Sequence, residues 1–265
     1  MDILFVSWWK KSISTARESC KRFQIPEHLS KEAIILAGGL GTRLRDTISD
    51  IPKCMAPINS IPFLAYVIEY LKQEGITRFV FSLGYKHDMI EAWLEAQYSS
   101  LDVILAVEEE PLGTGGAIKL ACKSAQSGTV VVVNGDTIFK AGIQKMVSFH
   151  DMCGAHCTLA LKPMKSFDRY GAVFLNKDYS IAEFSEKQYR KEGLINGGVY
   201  ALNRKKFLDE DLPERFSFEK DYMEALVGKR RFFGYRQDEY FIDIGIPADY
   251  QRAHVELPEV IQVEN

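Results

Sequence analysis

Residues 36–53 read Leu-Ala-Gly-Gly-Leu-Gly-Thr-Arg-Leu-Arg-Asp-Thr-Ile-Ser-Asp-Ile-Pro-Lys, and they open just as the apolar run Ala33–Ala37 closes. A short apolar run ending in a turn signal predicts a buried strand. That strand delivers the chain into a loop with Gly38, Gly39 and Gly41, where backbone N–H groups can lie against a ligand without side-chain obstruction. Arg43 and Lys53 set two cations beside the loop, and a polyphosphate suits such an arrangement. Neither common nucleotide fingerprint is present. There is no Gly-x-x-x-x-Gly-Lys-Ser/Thr, and counted from Gly39 the third glycine of Gly-x-Gly-x-x-Gly is replaced by Leu44. A Walker-type ATPase and a dinucleotide-dependent oxidoreductase both lose ground. Glycines alone would also serve a plain strand-to-helix turn, but such a turn has no need of Gly41-Thr42-Arg43-Leu44 and Pro52-Lys53.

Beyond the loop, apolar runs alternate with helical periodicity. Pro62 opens a helix to about Gln73, with Phe63, Val67, Ile68 and Leu71 at helical spacing. A strand is expected over Phe79–Leu83, a helix over Asp88–Gln97, a strand over Val103–Val107, a helix over Thr114–Ala125 and a strand over Val130–Val133. This alternation predicts a doubly wound α/β domain with a mixed, mostly parallel sheet. Ligands of such sheets bind beyond the carboxyl ends of the strands. The glycine loop, Glu108–Gly116 and Asn134–Asp136 all fall at that edge. After residue 157 shorter strands follow closely (Cys157–Leu161, Gly171–Leu175, Ile181–Phe184 and Gly198–Leu202), an antiparallel or mixed extension.

A chain of 265 residues with a formal charge of -3 is sized for one large domain and has no basic field to attract nucleic acid. Five scattered cysteines and no secretory signal fit reduced thiols in a cytoplasm. His150, Cys153, His156 and Cys157 have zinc-like spacing but fall across a helix, a turn at Gly154 and a strand, so their side chains should diverge. Residues 1–31 form a separate N-terminal extension, and residues 258–265 a tail, around a domain of residues 32–257. In the extension Trp9, Ile13, Ala16, Cys20 and Phe23 fall on one helical face. The apolar part is far shorter than the ~20 residues that span a bilayer. The stripe suits packing on the domain or on a second copy in a homo-oligomer, an interfacial membrane helix, or disorder.

Gly39-Leu40-Gly41-Thr42-Arg43-Leu44 with Pro52-Lys53 resembles the N-terminal motif of sugar-1-phosphate nucleotidylyltransferases, which join a nucleoside triphosphate to a sugar 1-phosphate and release pyrophosphate. Pro52-Lys53-Cys54-Met55-Ala56-Pro57-Ile58 and Pro62-Phe63-Leu64 look most like the branch that uses GTP and D-glycero-α-D-manno-heptose 1-phosphate. A mannose or other hexose 1-phosphate is the alternative within the class, and a non-catalytic paralogue that binds nucleotide sugars is the alternative outside it. The resemblance covers residues 32–256 and implies the Rossmann-like fold of nucleotide-diphospho-sugar transferases. Many relatives carry Pro-Leu-Thr after the Arg-Leu pair, where this chain has Arg45-Asp46-Thr47-Ile48, so detail from the thymidylyl and uridylyl branches transfers less well.

The chemistry so implied is an in-line attack on the α-phosphorus by a phosphate oxygen that is already an anion. The difficulty lies in bringing two anions together and stabilising the departing oxygen, which a hard cation such as Mg²⁺ does well. Asp136, at the end of Val130–Val133 and Asn134-Gly135, and Asp243, an acid inside the apolar run Phe241-Ile242-Asp243-Ile244, are the catalytic carboxylates that the resemblance implies share the metal. An Asn-Gly-Asp turn is the plain alternative for the first. Arg43 is expected on the β- and γ-phosphates and Lys53 nearer the α-phosphate. Leu36, Ala37, Gly38, Gly39, Gly41, Thr42, Gly113 and Asp136 are expected to bind the nucleotide. The base-reading position falls at Glu108, where a carboxylate can accept from both N1–H and the 2-amino group of guanine. Three consecutive glutamates could equally form a solvated loop. Tyr170-Gly171, Glu186-Lys187 and Asn196-Gly197 resemble the sugar-binding positions, although Glu186-Lys187 alone reads as an exposed ion pair.

Overall fold

The computed structural model describes residues 30–39 and 51–263. Gly41, Thr42, Arg43 and the amphipathic stripe of the N-terminal extension lie outside these residues. Strand β1 (Glu32–Leu36) leads to the glycine loop, and a hairpin of β2 (Pro57–Ile58) and β3 (Ile61–Pro62) precedes helix α1 (Phe63–Gln73). Then β4 (Arg78–Leu83), α2 (His87–Gln97), β5 (Asp102–Val107), α3 (Gly113–Ser124) and β6 (Thr129–Asn134) alternate. A short β7 (Thr137–Phe139) and helix α4 (Ile143–Met152) lead to β8 (Cys157–Phe167), β9 (Ala172–Leu175), β10 (Ile181–Ser185) and the long β11 (Arg190–Asn203). Helix α5 (Arg204–Leu208), a π-helical turn over Phe218–Glu224, β12 (Phe232–Arg236), β13 (Phe241–Asp243) and α6 (Pro247–Val260) complete the chain.

The parallel block has the spatial order β5-β4-β1-β6. The chain winds outward from β1 to β4 and β5, then returns to lay β6 on the other side of β1. Its direction therefore reverses between β1 and β6, and a crevice opens at the carboxyl end of that pair. Period-two alternation of apolar side chains in the central strands supplies both faces of the core. Ala33, Ile35, Val131 and Val133 pack under α1, α4 and α6, whereas Ile34, Val130 and Val132 pack with α3 and the aromatic residues Phe207, Phe216 and Phe218.

Strand β11 joins the parallel block to the antiparallel extension. It pairs with β8 from Arg190 to Leu202, and on its other edge it touches β9 at Ile195 and pairs with β6 over Val199–Asn203. The ladder with β8 shifts between Asn196 and Tyr200, and Gly197 and Gly198 occupy the irregularity. Gly198 has φ +72°, and a Cβ there would stand 2.7 Å from Asn134 Nδ2. The strands expected at Ile181–Phe184 and Gly198–Leu202 are found within longer elements, and the one expected at Gly171–Leu175 is found one residue shorter, as Ala172–Leu175. The pairing of β13 with β7 and of β12 with β8 was not visible in the sequence.

At the C-terminus the helix passes the boundary expected at residue 258 and ends at Val260, with Ile261 buried. Pro258 has no N–H for the carbonyl four residues earlier, and that carbonyl, on His254, instead accepts from Asn59 Nδ2 at 2.7 Å. Among the described residues no helix is long and apolar enough to cross a membrane. His150 is a core residue that shares a hydrogen bond with Thr158 Oγ1, and burial pushes its pKa down to about 4, which keeps the ring neutral. Cys157 lies buried in β8.

Opposite the crevice, Glu32 is buried at the start of β1 and fully engaged. It accepts from Arg78 Nε at 2.9 Å and from the backbone N–H groups of Gln126 and Ser127 at 2.8 and 2.7 Å. Arg78 also grips Asp102, so one charge network ties the starts of β1, β4 and β5 to the loop after α3. Removing the carboxylate strands two N–H groups and part of a guanidinium. Glu32→Ala is therefore expected to lower the unfolding free energy by about 3 kcal/mol, with Glu32→Gln losing less, as read by urea denaturation.

Candidate active site

At the carboxyl end of β1 and β6 the backbones are locked side by side. Gly135 N–H donates to Leu36 O at 2.9 Å, and a Cβ on Gly135 would sit 2.7 Å from that same oxygen. Ala37 N–H likewise donates to Ser82 O at the end of β4. The glycine loop therefore starts from a fixed point between three strands. Leu36, Ala37, Gly38 and Gly39 line a cleft of about 370 Å³ together with Lys53, Glu108, Gly113 and Asp136. Every described residue expected at the nucleotide lines this one cleft. Gly113 begins α3 with φ +72°, and a side chain there would also run into Phe216 O at 2.6 Å.

Lys53 stands in a 3₁₀ turn after Pro52 and points across the crevice. Its Nζ lies 2.5 Å from Asp136 Oδ2 and 3.5 Å from Asp243 Oδ1, with side-chain exposures of 16%, 34% and 25% for the three residues in that order. Two carboxylates from distant parts of the chain thus converge on one cation. The pairing of Thr137 with Asp243 between β7 and β13 brings them together. Thr137 Oγ1 donates to Asp136 Oδ1, and Gly245 N–H donates to Asp243 Oδ1 at 2.8 Å. The two aspartates are oxygen donors of the kind Mg²⁺ takes, and the position of the lysine ammonium shows that one cation can meet both.

Glu108 and its neighbours separate clearly. Glu109 and Glu110 are exposed, whereas Glu108 is half-buried and accepts from Leu112 N–H at 3.0 Å. A Cβ on Gly84 would lie 2.5 Å from Glu108 Oε1, so the glycine makes room for the carboxylate.

A second cavity of about 380 Å³ adjoins the first. Tyr170, Gly171, Glu186, Lys187 and Asn196 line it, and Gly197 lines a third cavity of about 510 Å³ that shares Tyr170, Lys187 and Asn196 with the second. The expected sugar-side residues therefore gather in one region. Asn134 borders all three cavities. Glu186 and Lys187 are exposed on the rim. Burial, and next the charge of Asp243, raise the pKa of the Tyr170 phenol and keep it protonated.

Several site residues were not singled out from the sequence. Glu219 borders the first and second cavities and accepts from Thr114 Oγ1 at 2.7 Å. Arg169 and Asp249 pair beside Tyr170. Asp249 lies in the first turn of α6, where an acid is ordinarily explained by the helix dipole.

The nucleotidyl transferase family matches residues 32–260 of this chain. The chain belongs to that family. It is 49% identical over 230 residues, 87% of this chain and the whole of the relative, to the D-glycero-α-D-manno-heptose 1-phosphate guanylyltransferase of Aneurinibacillus thermoaerophilus. It is 43% identical over 220 residues to the enzyme of that name from Campylobacter jejuni, covering 83% of this chain and 96% of the relative. Among solved structures it resembles HddC from Yersinia pseudotuberculosis complexed with GMP-PN, with a TM-score of 0.76, 36% identity and coverage of 84% and 98% of the two chains.

Cys54, adjacent to Lys53, is buried at the floor of the first cleft. Burial, followed by the charge of Asp136, pushes its thiol up to about 12. Iodoacetamide at pH 8 should therefore leave Cys54 unmodified in the folded protein and label it only after denaturation, as resolved by peptide mass spectrometry.

Proposed function

We propose that this chain transfers GMP from GTP to D-glycero-α-D-manno-heptose 1-phosphate, releasing pyrophosphate. The observation that carries the chemistry is the meeting of Lys53, Asp136 and Asp243 beside the glycine loop, at the crevice where the sheet reverses. The choice of heptose and guanine rests on the two relatives that share nearly half of their residues with this chain.

A phosphate oxygen of the sugar 1-phosphate forms a bond to the α-phosphorus of GTP while the bond from that phosphorus to the bridging oxygen breaks. The electron pair leaves with pyrophosphate. Since the nucleophile is already an anion, no side chain has to remove a proton. What the protein supplies is position and charge. The glycine loop presents backbone N–H groups to the phosphates, and Arg43 adds a planar fork for the leaving pyrophosphate. Lys53 is placed to follow the α-phosphate as its charge shifts. Asp136 and Asp243 are the residues that would hold Mg²⁺, which when bound neutralises phosphate charge and steadies the leaving oxygen. Tyr170, Gly171, Glu186, Lys187, Asn196 and Gly197 form the wall for the sugar phosphate, with Lys187 as its cation.

The expected result for Asp136→Asn is retained folding with turnover reduced about 100-fold or more, and for the unmodified protein complete loss of pyrophosphate release in EDTA with recovery on adding excess Mg²⁺. An Asp136→Asn protein that turned over normally in EDTA would remove the metal from the mechanism.

The base is tested at Glu108. Its carboxylate can accept from both N1–H and the 2-amino group of guanine, whereas the acceptors flanking N3–H in uracil and thymine would face an anion. Glu108→Gln should cost about 1–3 kcal/mol in kcat/KM for GTP and raise relative use of UTP or dTTP. An unchanged order among the four triphosphates would take Glu108 out of base recognition.

A further inference from the structure

Asp243 is held from behind by a chain of charged and polar groups that reaches helix α6. Arg169 Nη2 donates to Tyr170 Oη at 2.8 Å and to Asp249 Oδ2 at 2.6 Å. Tyr170 Oη in turn donates to Asp243 Oδ2 at 3.2 Å. The direction of each bond is forced by chemistry. A guanidinium can only donate and an ionised carboxylate can only accept. Tyr170 Oη therefore accepts from Arg169, and its single hydrogen is left for Asp243. The other carboxylate oxygen, Oδ1, is taken by Gly245 N–H at 2.8 Å. The plane of the Asp243 carboxylate is thus fixed from two sides, with Oδ1 held 3.5 Å from Lys53 Nζ.

We infer that Tyr170, oriented by Arg169 and anchored through it on Asp249, is a positioning residue that fixes the Asp243 carboxylate for a divalent cation. This rests on the proposed metal role of Asp136 and Asp243. The chain is well supported at its far end, because Asp249 also accepts from Arg252 Nη1 at 2.9 Å and so does not depend on Arg169 alone. Arg169 also stacks against the ring of Tyr170, with 5.2 Å between guanidinium carbon and ring centroid, and Phe241 meets the same ring edge-on. The Tyr170 ring cannot turn without breaking these contacts. Tyr170 borders both sugar-side cavities as well as Asp243. One side chain thus connects the wall of the sugar cavity to the proposed metal ligand. Groups that orient a metal ligand in this way commonly govern metal affinity by 10-fold or more.

The test is binding of Mn²⁺ alone, followed by the loss of its free EPR signal, for the unmodified protein, Tyr170→Phe, Arg169→Met and Arg169→Lys. Tyr170→Phe removes one hydroxyl and keeps the ring. It is expected to weaken Mn²⁺ about tenfold at an unchanged melting temperature. Arg169→Met should weaken it similarly, while Arg169→Lys, which keeps donors for Tyr170 and Asp249, should recover part of the loss. In turnover the Arg169→Met defect should lie in kcat and in the Mg²⁺ requirement, with KM for the sugar phosphate within about twofold. Mn²⁺ binding by Tyr170→Phe and Arg169→Met within twofold of the unmodified protein would overturn the positioning role and leave the metal site standing. Failure of the unmodified protein to bind Mn²⁺ at all would overturn both.

Discussion

Two carboxylates brought to the same point repel one another, and the crevice of this protein depends on a cation that reconciles them. Asp136 and Asp243 are each only partly open to water, and Lys53 Nζ lies within 3.5 Å of both. Outside a protein three such groups would disperse into solvent, since exposed ion pairs contribute about 1 kcal/mol or less. Here the backbone leaves them little choice. Strand β6 ends in Asn134-Gly135, which aims Asp136 into the crevice, and the β7–β13 pairing sets Asp243 opposite the next residue. Lys53 comes from the turn that follows Pro52, whose neighbour Cys54 is buried. Three segments more than 80 residues apart in sequence are thereby committed to one spot, and the fold must form before the site exists.

The same constraint explains why the antiparallel extension cannot be a loosely attached annex. Gly197 and Gly198 lie where one edge of β11 passes from β9 to β6, and neither position has room for a side chain. A Cβ on Gly197 would enter the ring of Phe139 at 2.3 Å, and one on Gly198 would meet Asn134. Phe139 belongs to β7 and Asn134 to β6, the two strands that flank Asp136. The wall proposed for the sugar and the strand pair that carries the aspartate are thus in direct contact. A displacement of one by an ångström would be felt by the other, because packed interiors transmit strain.

The parallel half was legible because its signals are local. Apolar runs of four or five residues bounded by glycine, proline or polar turns marked β1, β4, β5 and β6, and helical spacing marked α1 and α3 almost to their ends. The glycine loop and Asp136 followed from their place at the strand ends. The other elements are stabilised by partners far away in sequence. Phe232–Arg236 and Phe241–Asp243 are short and have meaning only beside β8 and β7. Arg169 and Asp249 are unremarkable residues in isolation, a cation before a tyrosine and an acid in the first turn of a helix, and only the tertiary fold turns them into a chain leading to Asp243. The family resemblance implied a sugar-side role for Tyr170, but the residue's contact with Asp243 comes only from the tertiary fold.

On the reading proposed for Glu108, a scaffold shared by a whole family carries a particular base preference at one side chain. A carboxylate has about four lone-pair directions, and Glu108 commits one of them to Leu112 N–H. That bond restrains the side chain before any nucleotide arrives, and Gly84 supplies the space in which it rests. Two adjacent donors of guanine can then be met by a group that has little rotamer freedom left to lose. The neighbouring Glu109 and Glu110 have the same charge but stay in solvent, so charge alone does not single out Glu108. Its register does, because Glu108 N–H donates to Leu83 O and the following turn folds back on its carboxylate. On the proposed reading, base preference is then a property of the β5–α3 connection and sugar preference a property of the antiparallel wall. The two meet at Asn134 and Glu219, which border both the first cleft and the second cavity, beside the Lys53, Asp136 and Asp243 cluster, where the chemistry is indifferent to either.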